Sequence, residues 1–183
     1  MARLIFFLEE PSMKAFLEEL LPRLFSGLSF LCIPHEGKDD LEKSLSRKLN
    51  GWNVPGDRFC IVRDSDGADC VAIKSGLRKR CEAANRDALI RIVCQELEAW
   101  YFGDPEALAT GFDREDLARI GRRRRFRDPD EISKPSSALE KLIPEFGKIS
   151  GARIMGRHLT RDNNSRSYRV FLEGVERLID PDD

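Results

Sequence analysis

Asp64 and Asp66 stand one residue apart in RFCIVRDSDGADC, directly after the apolar run 59–62. Two more acidic pairs follow apolar runs in the same way: Glu9 and Glu10 after RLIFFL, and Glu96 and Glu98 after ALIRIVC. Carboxylates gathered at one place raise one another's pKa, and a divalent cation resolves that conflict. Mg²⁺ takes oxygen ligands in octahedral geometry at roughly 2.0–2.1 Å and keeps waters that a substrate phosphate can displace. Two such ions about 4 Å apart suit phosphodiester hydrolysis. The candidate Mg²⁺ (or Mn²⁺) ligands are therefore Glu9, Asp64, Asp66, Glu96 and Glu98. Glu9 is preferred to Glu10 because it directly follows the buried run. Spacing does not separate Glu96 from Glu98. The plainer reading is that Asp-Ser-Asp-Gly makes a turn and that one glutamate favours a helix N-terminus.

For these acids to meet, the elements before them must end on one side of one sheet. The apolar runs 3–10, 28–37, 58–62 and 88–94 have strand length. Helical spacing lies between them: Met13, Phe16, Leu17, Leu20, Leu21 and Leu24 after Ser12, then Leu41, Leu45 and Leu49, then Val71, Ile73, Leu77 and Cys81. ELEAWYFGDPEALATGF continues as helix. Strands alternating with helices of this length predict an α/β fold with a mainly parallel four-stranded sheet, whose ligands sit at the carboxyl ends of the strands. The expected division is a single domain over 1–183, with its core at about 1–112 and a basic, Arg-rich extension at about 113–183. That extension is polar and interrupted by prolines, with one or two short helices including SSALEKLI, long loops, and a last segment, SYRVFLEGVERLI, that reads as a helix or as a strand followed by a helix.

Composition narrows the function classes. The chain has 183 residues, 34% of them charged, yet its formal net charge is −1. It is not polybasic as a whole, so any attraction to phosphate must be local. Five cysteines with no Cys-x-x-Cys argue against a disulfide framework or zinc site and suit a reducing cytosol. No run approaches the eighteen or so apolar residues that span a bilayer, and the first apolar run is too short for a signal segment. The expected setting is cytoplasmic, with no membrane partner.

LEEPSMKAF resembles the Glu-Gly-Pro-Thr-type motif that opens Toprim domains, with Glu9 in the glutamate position and Glu10 where glycine is usual. RDSDGADC resembles the Toprim Asp-x-Asp motif. More closely, IPHEGKDDLEKSL, VRDSDGADC, QELEAWYFGD, KISGARIMGRHL and NNSRSYRVFLEGV, in that order, resemble the bacterial family known as domain of unknown function 4276. That family is regarded as Toprim-like and related to the overcoming-lysogenisation-defect nucleases. The resemblance implies a three-layer Toprim-like sandwich and metal-dependent nuclease chemistry. It also implies an ATPase partner subunit in phage defence and a homodimer. In it Glu9 acts as general acid/base or ligand, Asp64 and Asp66 hold Mg²⁺, and Glu98 or Glu96 completes a second metal site.

Two basic segments offer phosphate contacts. ARIGRRRRFRDPD carries Arg122, Arg123, Arg124 and Arg125 beside Phe126, an arrangement suited to a nucleic-acid backbone with one stacked base. SGARIMGRHLTRDNNSRSYR offers Arg153, Arg157, His158 and Arg166; its plainer reading is an ordinary basic loop. His35 and Lys38 follow the second strand on the same expected edge, although a lone histidine more often serves as a hydrogen-bonding residue. Two rival functions stand beside the nuclease. One is an Asp-x-Asp phosphatase, disfavoured because Ala68 occupies the place of the usual Thr or Val and the motif follows the third strand. The other is a non-catalytic Toprim-like binding or regulatory subunit.

Overall fold

The structure is a computed structural model that describes residues 3–180. Its first half follows the alternation expected from the sequence: β1 (Leu4–Leu8), α1 (Pro11–Leu24), β2 (Phe30–Pro34), α2 (Lys38–Asn50), β3 (Arg58–Asp64), α3 (Cys70–Ala83) and β4 (Ala88–Val93). All pairings are parallel and the strand order is β2-β1-β3-β4. Every residue of β1 is buried, because a central parallel strand is covered on both faces. Leu4, Phe6 and Leu8 enter one core cluster with α1, whereas Ile5 and Phe7 enter a second cluster with α2 and α3. The chain leaves β1 for β2 on one side and returns to β3 on the other. The carboxyl ends of β1 and β3 therefore flank the point where strand order reverses, the usual crevice for ligands in such sheets.

β3 runs two residues further than the apolar pattern, so Asp64 is its last residue and Asp66 lies in the turn beyond. The single helix expected after β4 is two: α4 (Glu98–Phe102) and α5 (Pro105–Phe112). Pro105 disfavours helical backbone at the residue before it, and Asp104 instead caps α5 by accepting the Ala107 N–H at 3.0 Å.

Three short 3₁₀ turns (Glu115–Arg122, Arg124–Phe126 and Pro129–Glu131) then lead to α6 (Pro135–Leu142), α7 (Lys148–His158) and α8 (Arg166–Ile179). The first part of the basic segment SGARIMGRHLTRDNNSRSYR, whose plainer reading is a loop, belongs to the helix α7, KISGARIMGRH. Its buried face is Gly151, Ala152, Met155 and Gly156, so small residues take the places where apolar periodicity would be looked for. A Cβ on Gly156 would stand 2.5 Å from the Phe16 carbonyl oxygen and 2.8 Å from Glu19 Cβ. The glycine is what lets α7 lie directly on α1. At the far edge α8 packs beside β4, where Gly174 makes room for the Arg91 guanidinium. The first core cluster accordingly runs from Leu4 to Val175: residues beyond 112 help to build it. Among the described residues no helix is long and apolar enough to cross a membrane.

Gly156→Val should force α7 off α1 and cost about 1–3 kcal/mol, the usual penalty for overpacking. A lower midpoint with an unchanged slope in urea unfolding would be the expected result. An unchanged midpoint would mean that the helices do not meet there.

Candidate active site

Glu9 follows β1 directly, and the sheet fixes it. Its N–H donates to the Val62 carbonyl at 3.2 Å, and its Oε2 accepts the Asp64 N–H at 3.0 Å. The carboxylate ending one central strand thus closes onto the backbone of the next. Arg63 Nε approaches the same oxygen at 3.8 Å, but the Arg63 guanidinium is mainly engaged by Glu42. Burial pushes the Glu9 carboxyl up to about 7, the Asp64 N–H acts against that rise, and Asp66 adds to it.

Asp64 is 4% exposed and its Oδ1 has no hydrogen-bond partner. Its pKa stands well above the usual carboxylate range, first through burial, then through Glu9 and Glu98. Glu98, the first residue of α4, is 1% exposed and neither of its oxygens has a partner. Burial likewise lifts it to about 7, opposed by its own backbone N–H at the helix start and by Lys148. Glu9 and Glu98, from two other elements, thus both act on the buried carboxyl of Asp64. Beside them the buried Tyr101 hydroxyl is also unpartnered, and burial, Glu98 and Asp64 hold its pKa well above 10.

Asp66 lies further out, in a turn with φ of 50° at Asp66 and 78° at Gly67. Aspartate and glycine are the residues that best accept left-handed backbone. The turn is tied down where the Asp66 N–H donates to Gln95 O at 2.9 Å and the Gln95 N–H donates to Ser65 Oγ at 2.8 Å. The Asp66 carboxylate pairs with Lys38 at 3.1 Å. Glu10 faces the same region and pairs with Lys148 at 2.8 Å.

The remaining candidates stand elsewhere. Glu96 Oε2 accepts the Ser136 N–H at 2.8 Å and so holds the start of α6, while Glu98 is the member of that pair turned toward Asp64. His35 is buried: its Nδ1 bonds the Leu8 carbonyl at 2.8 Å and its Nε2 meets Lys48 Nζ at 2.7 Å. Lys48 has only protons to give, so Nε2 accepts and Nδ1–H donates. Burial holds the His35 pKa below its usual value. Arg157 pairs with Glu19 of α1 at 2.8 Å, about 13 Å along α7 from Lys148 at 1.5 Å per residue. Arg153 acts on the same glutamate, and His158 ends that helix. Arg122, Arg123, Arg124 and Arg125 are exposed on the 3₁₀ turns. Arg166 does reach the site's surroundings. With Arg127 and Arg169 it lines an open cleft of about 930 Å³ whose other wall includes Ser65 and Gln95.

Lys148 is the residue that sequence reasoning missed. It begins α7, where the helix dipole disfavours a cation, and it is held there by Glu10 at 2.8 Å, with the charges of Glu98 and Asp64 adding attraction. A lysine in the first turn of a helix is a signal only once that helix is recognised.

The donor set is chemically that of a hard divalent ion, and the orphaned oxygens of Asp64 and Glu98 are the atoms such an ion would satisfy. Among the described residues, however, no three Asp, Glu, His or Cys groups are grouped closely enough to hold one ion. The ammonium groups of Lys38 and Lys148 instead balance the outer acids, and drawing the carboxylates around a cation requires those pairs to loosen.

The profile of the family described as "Domain of unknown function (DUF4276)" matches residues 8–176. No curated protein matches the chain. Among solved structures, the C-terminal region of the Burkholderia pseudomallei OLD protein aligns with a TM-score of 0.58 at 19% identity, covering 97% of this chain and 99% of that one. The C-terminal region of the Xanthomonas campestris pv. campestris OLD protein aligns with a TM-score of 0.56 at 14% identity, covering 98% and 97%. The likeness is one of fold, and it is the Toprim-like α/β fold that the sequence implied.

Between the usual 4.5 of a glutamate and the value of about 7 at Glu9 and Glu98, the folded chain keeps protons that the unfolded chain releases. Stability of EDTA-treated protein therefore drains away as pH rises through that window, and Asp64, raised in the same sense, adds to the loss. Glu98→Gln removes one of these ionisations. Its thermal midpoint should exceed the parent's at pH 7.5 and match it near pH 4.5; a constant difference across the range would refute the assignment.

Proposed function

We propose, from the premise that the chain belongs to the DUF4276 family, that it is a divalent-metal-dependent nuclease hydrolysing phosphodiesters. One observation carries this reading: the buried Asp64 carboxyl feels the charges of Glu9 and Glu98, which come from two other elements, and oxygens of Asp64 and Glu98 are left unpartnered. Burying charged groups without partners costs several kcal/mol or forces them to stay protonated. A cation would satisfy those unpartnered oxygens, and that supports the reading.

On this reading Glu9, Asp64, Asp66 and Glu98 hold Mg²⁺ or Mn²⁺, which supplies Lewis-acid activation of a phosphodiester and its attacking water. Glu9 Oε2 is committed to the Asp64 N–H, so Oε1 is the atom free to take and return a proton. Lys148 sets a positive charge beside Asp64 and Glu98, where it balances charge developing on phosphoryl oxygens. The cleft with Arg127, Arg166 and Arg169 gives a nucleic-acid strand a route past the Ser65–Gln95 turn. Arg122, Arg123, Arg124 and Arg125 supply non-specific attraction from outside it. An ATPase subunit as partner, and a phage-defence setting, extend the reading from the sequence resemblance. The closed Lys38–Asp66 and Lys148–Glu10 pairs favour one alternative, a Toprim-like binding subunit whose acids stay neutralised by lysine.

Calorimetry of Mg²⁺ and Mn²⁺ on EDTA-treated protein, with DNA and RNA cleavage in the same samples, separates the two. The nuclease reading expects saturable binding and metal-dependent cleavage, with cleavage lowered at least about 100-fold in Asp64→Asn. Lys148→Ala should keep or strengthen metal binding, since it frees Glu10, while losing most cleavage. Lack of any metal binding by the parent protein would leave the binding subunit as the better account.

A further inference from the structure

The outer edge of the sheet carries a second candidate surface, independent of the carboxylate site. β4 is an edge strand, and the Val93 carbonyl accepts from Ser65 N–H, so Val93 faces β3. In a parallel ladder the facing alternates residue by residue, which turns the N–H and C=O groups of Ile90 and Ile92 outward. The fold blunts part of this edge itself. The Arg91 guanidinium donates to Ile90 O at 3.1 Å, and Ser167 Oγ accepts the Cys94 N–H at 3.4 Å. Among the described residues, both groups of Ile92 and the N–H of Ile90 have no recorded partner beyond the sheet.

That edge forms the floor of a groove of about 600 Å³ between α3 and α8. Its lining is more apolar than polar, with Ile90, Ile92 and Val170 inside and Val71, 76% exposed, at the lip. Its rim is cationic: Lys74 and Arg78 from α3, Arg91 from β4 and Arg166 from α8. None of these four is in an ion pair among the described residues. Burial and the nearby Arg91 and Arg78 hold the Lys74 ammonium below its usual pKa, so the cations repel one another. The one acid in the lining, Asp130, is spent on Ser165 and Ser167, accepting at 2.6, 2.9 and 3.0 Å.

We propose that the β4 edge and its cationic groove bind an acidic, extended segment of a partner protein as a fifth strand of the sheet. Strand addition uses the free backbone groups for affinity and alternate side chains for specificity. The occupant's apolar residues would cover Ile92 and Val71, and its carboxylates would meet Lys74, Arg78 and Arg166. A second copy of this chain fits poorly, because pairing β4 with β4 would set the same cations against each other. The groove shares Cys70, Cys94, Asp130 and Arg166 with the cleft beside Ser65 and Gln95. A bound strand would therefore sit one turn from the carboxylate site.

The test reads binding alone, on the full chain without metal, so it stands or falls apart from the nuclease reading. The probes are two fluorescein-labelled heptapeptides, one alternating Glu and Val and the other alternating Lys and Val, followed by fluorescence polarisation. The acidic peptide should bind at least about tenfold more tightly. Lys74→Glu with Arg78→Glu, both on α3, should invert that order. Ile92→Pro, which removes an outward N–H and leaves the β3 ladder intact, should abolish binding, and the acidic peptide should slow hydrogen exchange at the Ile92 amide in the parent chain. Absence of binding, equal affinity for the two peptides, or no response to the charge reversal would overturn the proposal. So would concentration-dependent self-association lost in Ile92→Pro, which would make a second copy the occupant.

Discussion

The hydrogen bond from the Asp64 N–H to the Glu9 carboxylate joins the two central strands at the place where the order of the sheet reverses. The rest of the structure answers to it. A carboxylate can accept from that backbone only because β1 and β3 are adjacent, parallel and in register, with Leu8 opposite Val62. That adjacency requires α1 on one face and α2 with α3 on the other. Covering both faces removes water, and removing water is what lifts Glu9, Asp64 and Glu98 out of the ordinary carboxylate range. Site and core are thus one constraint. The same burial that stabilises Phe6, Phe7 and Ile61 works against the charges a short distance along the strands.

The second half of the chain relieves and positions those charges. α7 delivers Lys148 to Glu10, and it can do so only because Gly156 allows it onto α1. α4 delivers Glu98, and the loop after α7 together with the start of α8 fixes that helix: Asn163 Nδ2 donates to Trp100 O at 2.9 Å and the Trp100 indole N–H donates to Ser167 Oγ at 2.8 Å. Asp130, from the arginine-bearing 3₁₀ region, holds Ser165 and Ser167 at the start of α8. What reads in the sequence as a basic appendage is, for much of its length, the frame that aims two residues of the site.

How far the sequence could be read follows from which forces act locally. Strands covered on both faces are continuous apolar runs, so LIFFL and RFCIV announced themselves, and acids directly after such runs marked the strand ends. Tertiary proximity left weaker traces. α7 was hidden because glycine fills its contact face, and with it Lys148, whose place at a helix start runs against the dipole. Glu96 and Glu98 differ only in which way a turn points them, and that is decided by the Ser136 N–H, forty positions away in the chain. His35 looked like an edge residue because it follows β2, yet it bonds Leu8 of the neighbouring strand and Lys48 of the next helix. The break between α4 and α5 was legible in Asp104-Pro105, and the apolar periodicity on either side obscured it.

The two lysines give the site its logic. Lys38 and Lys148 neutralise the outer acids Asp66 and Glu10 at 3.1 and 2.8 Å. Both ammonium groups are also what an arriving phosphate would attract. On the proposed reading, a polyanion that takes Lys38 and Lys148 releases Asp66 and Glu10 and raises the site's demand for positive charge. A divalent ion that takes the carboxylates frees the lysines for phosphate in turn. Substrate and metal then strengthen each other's binding by the same free energy, as linkage requires. The coupling arises from charges already paired in the absence of both ligands, and it needs no movement of the sheet that carries them.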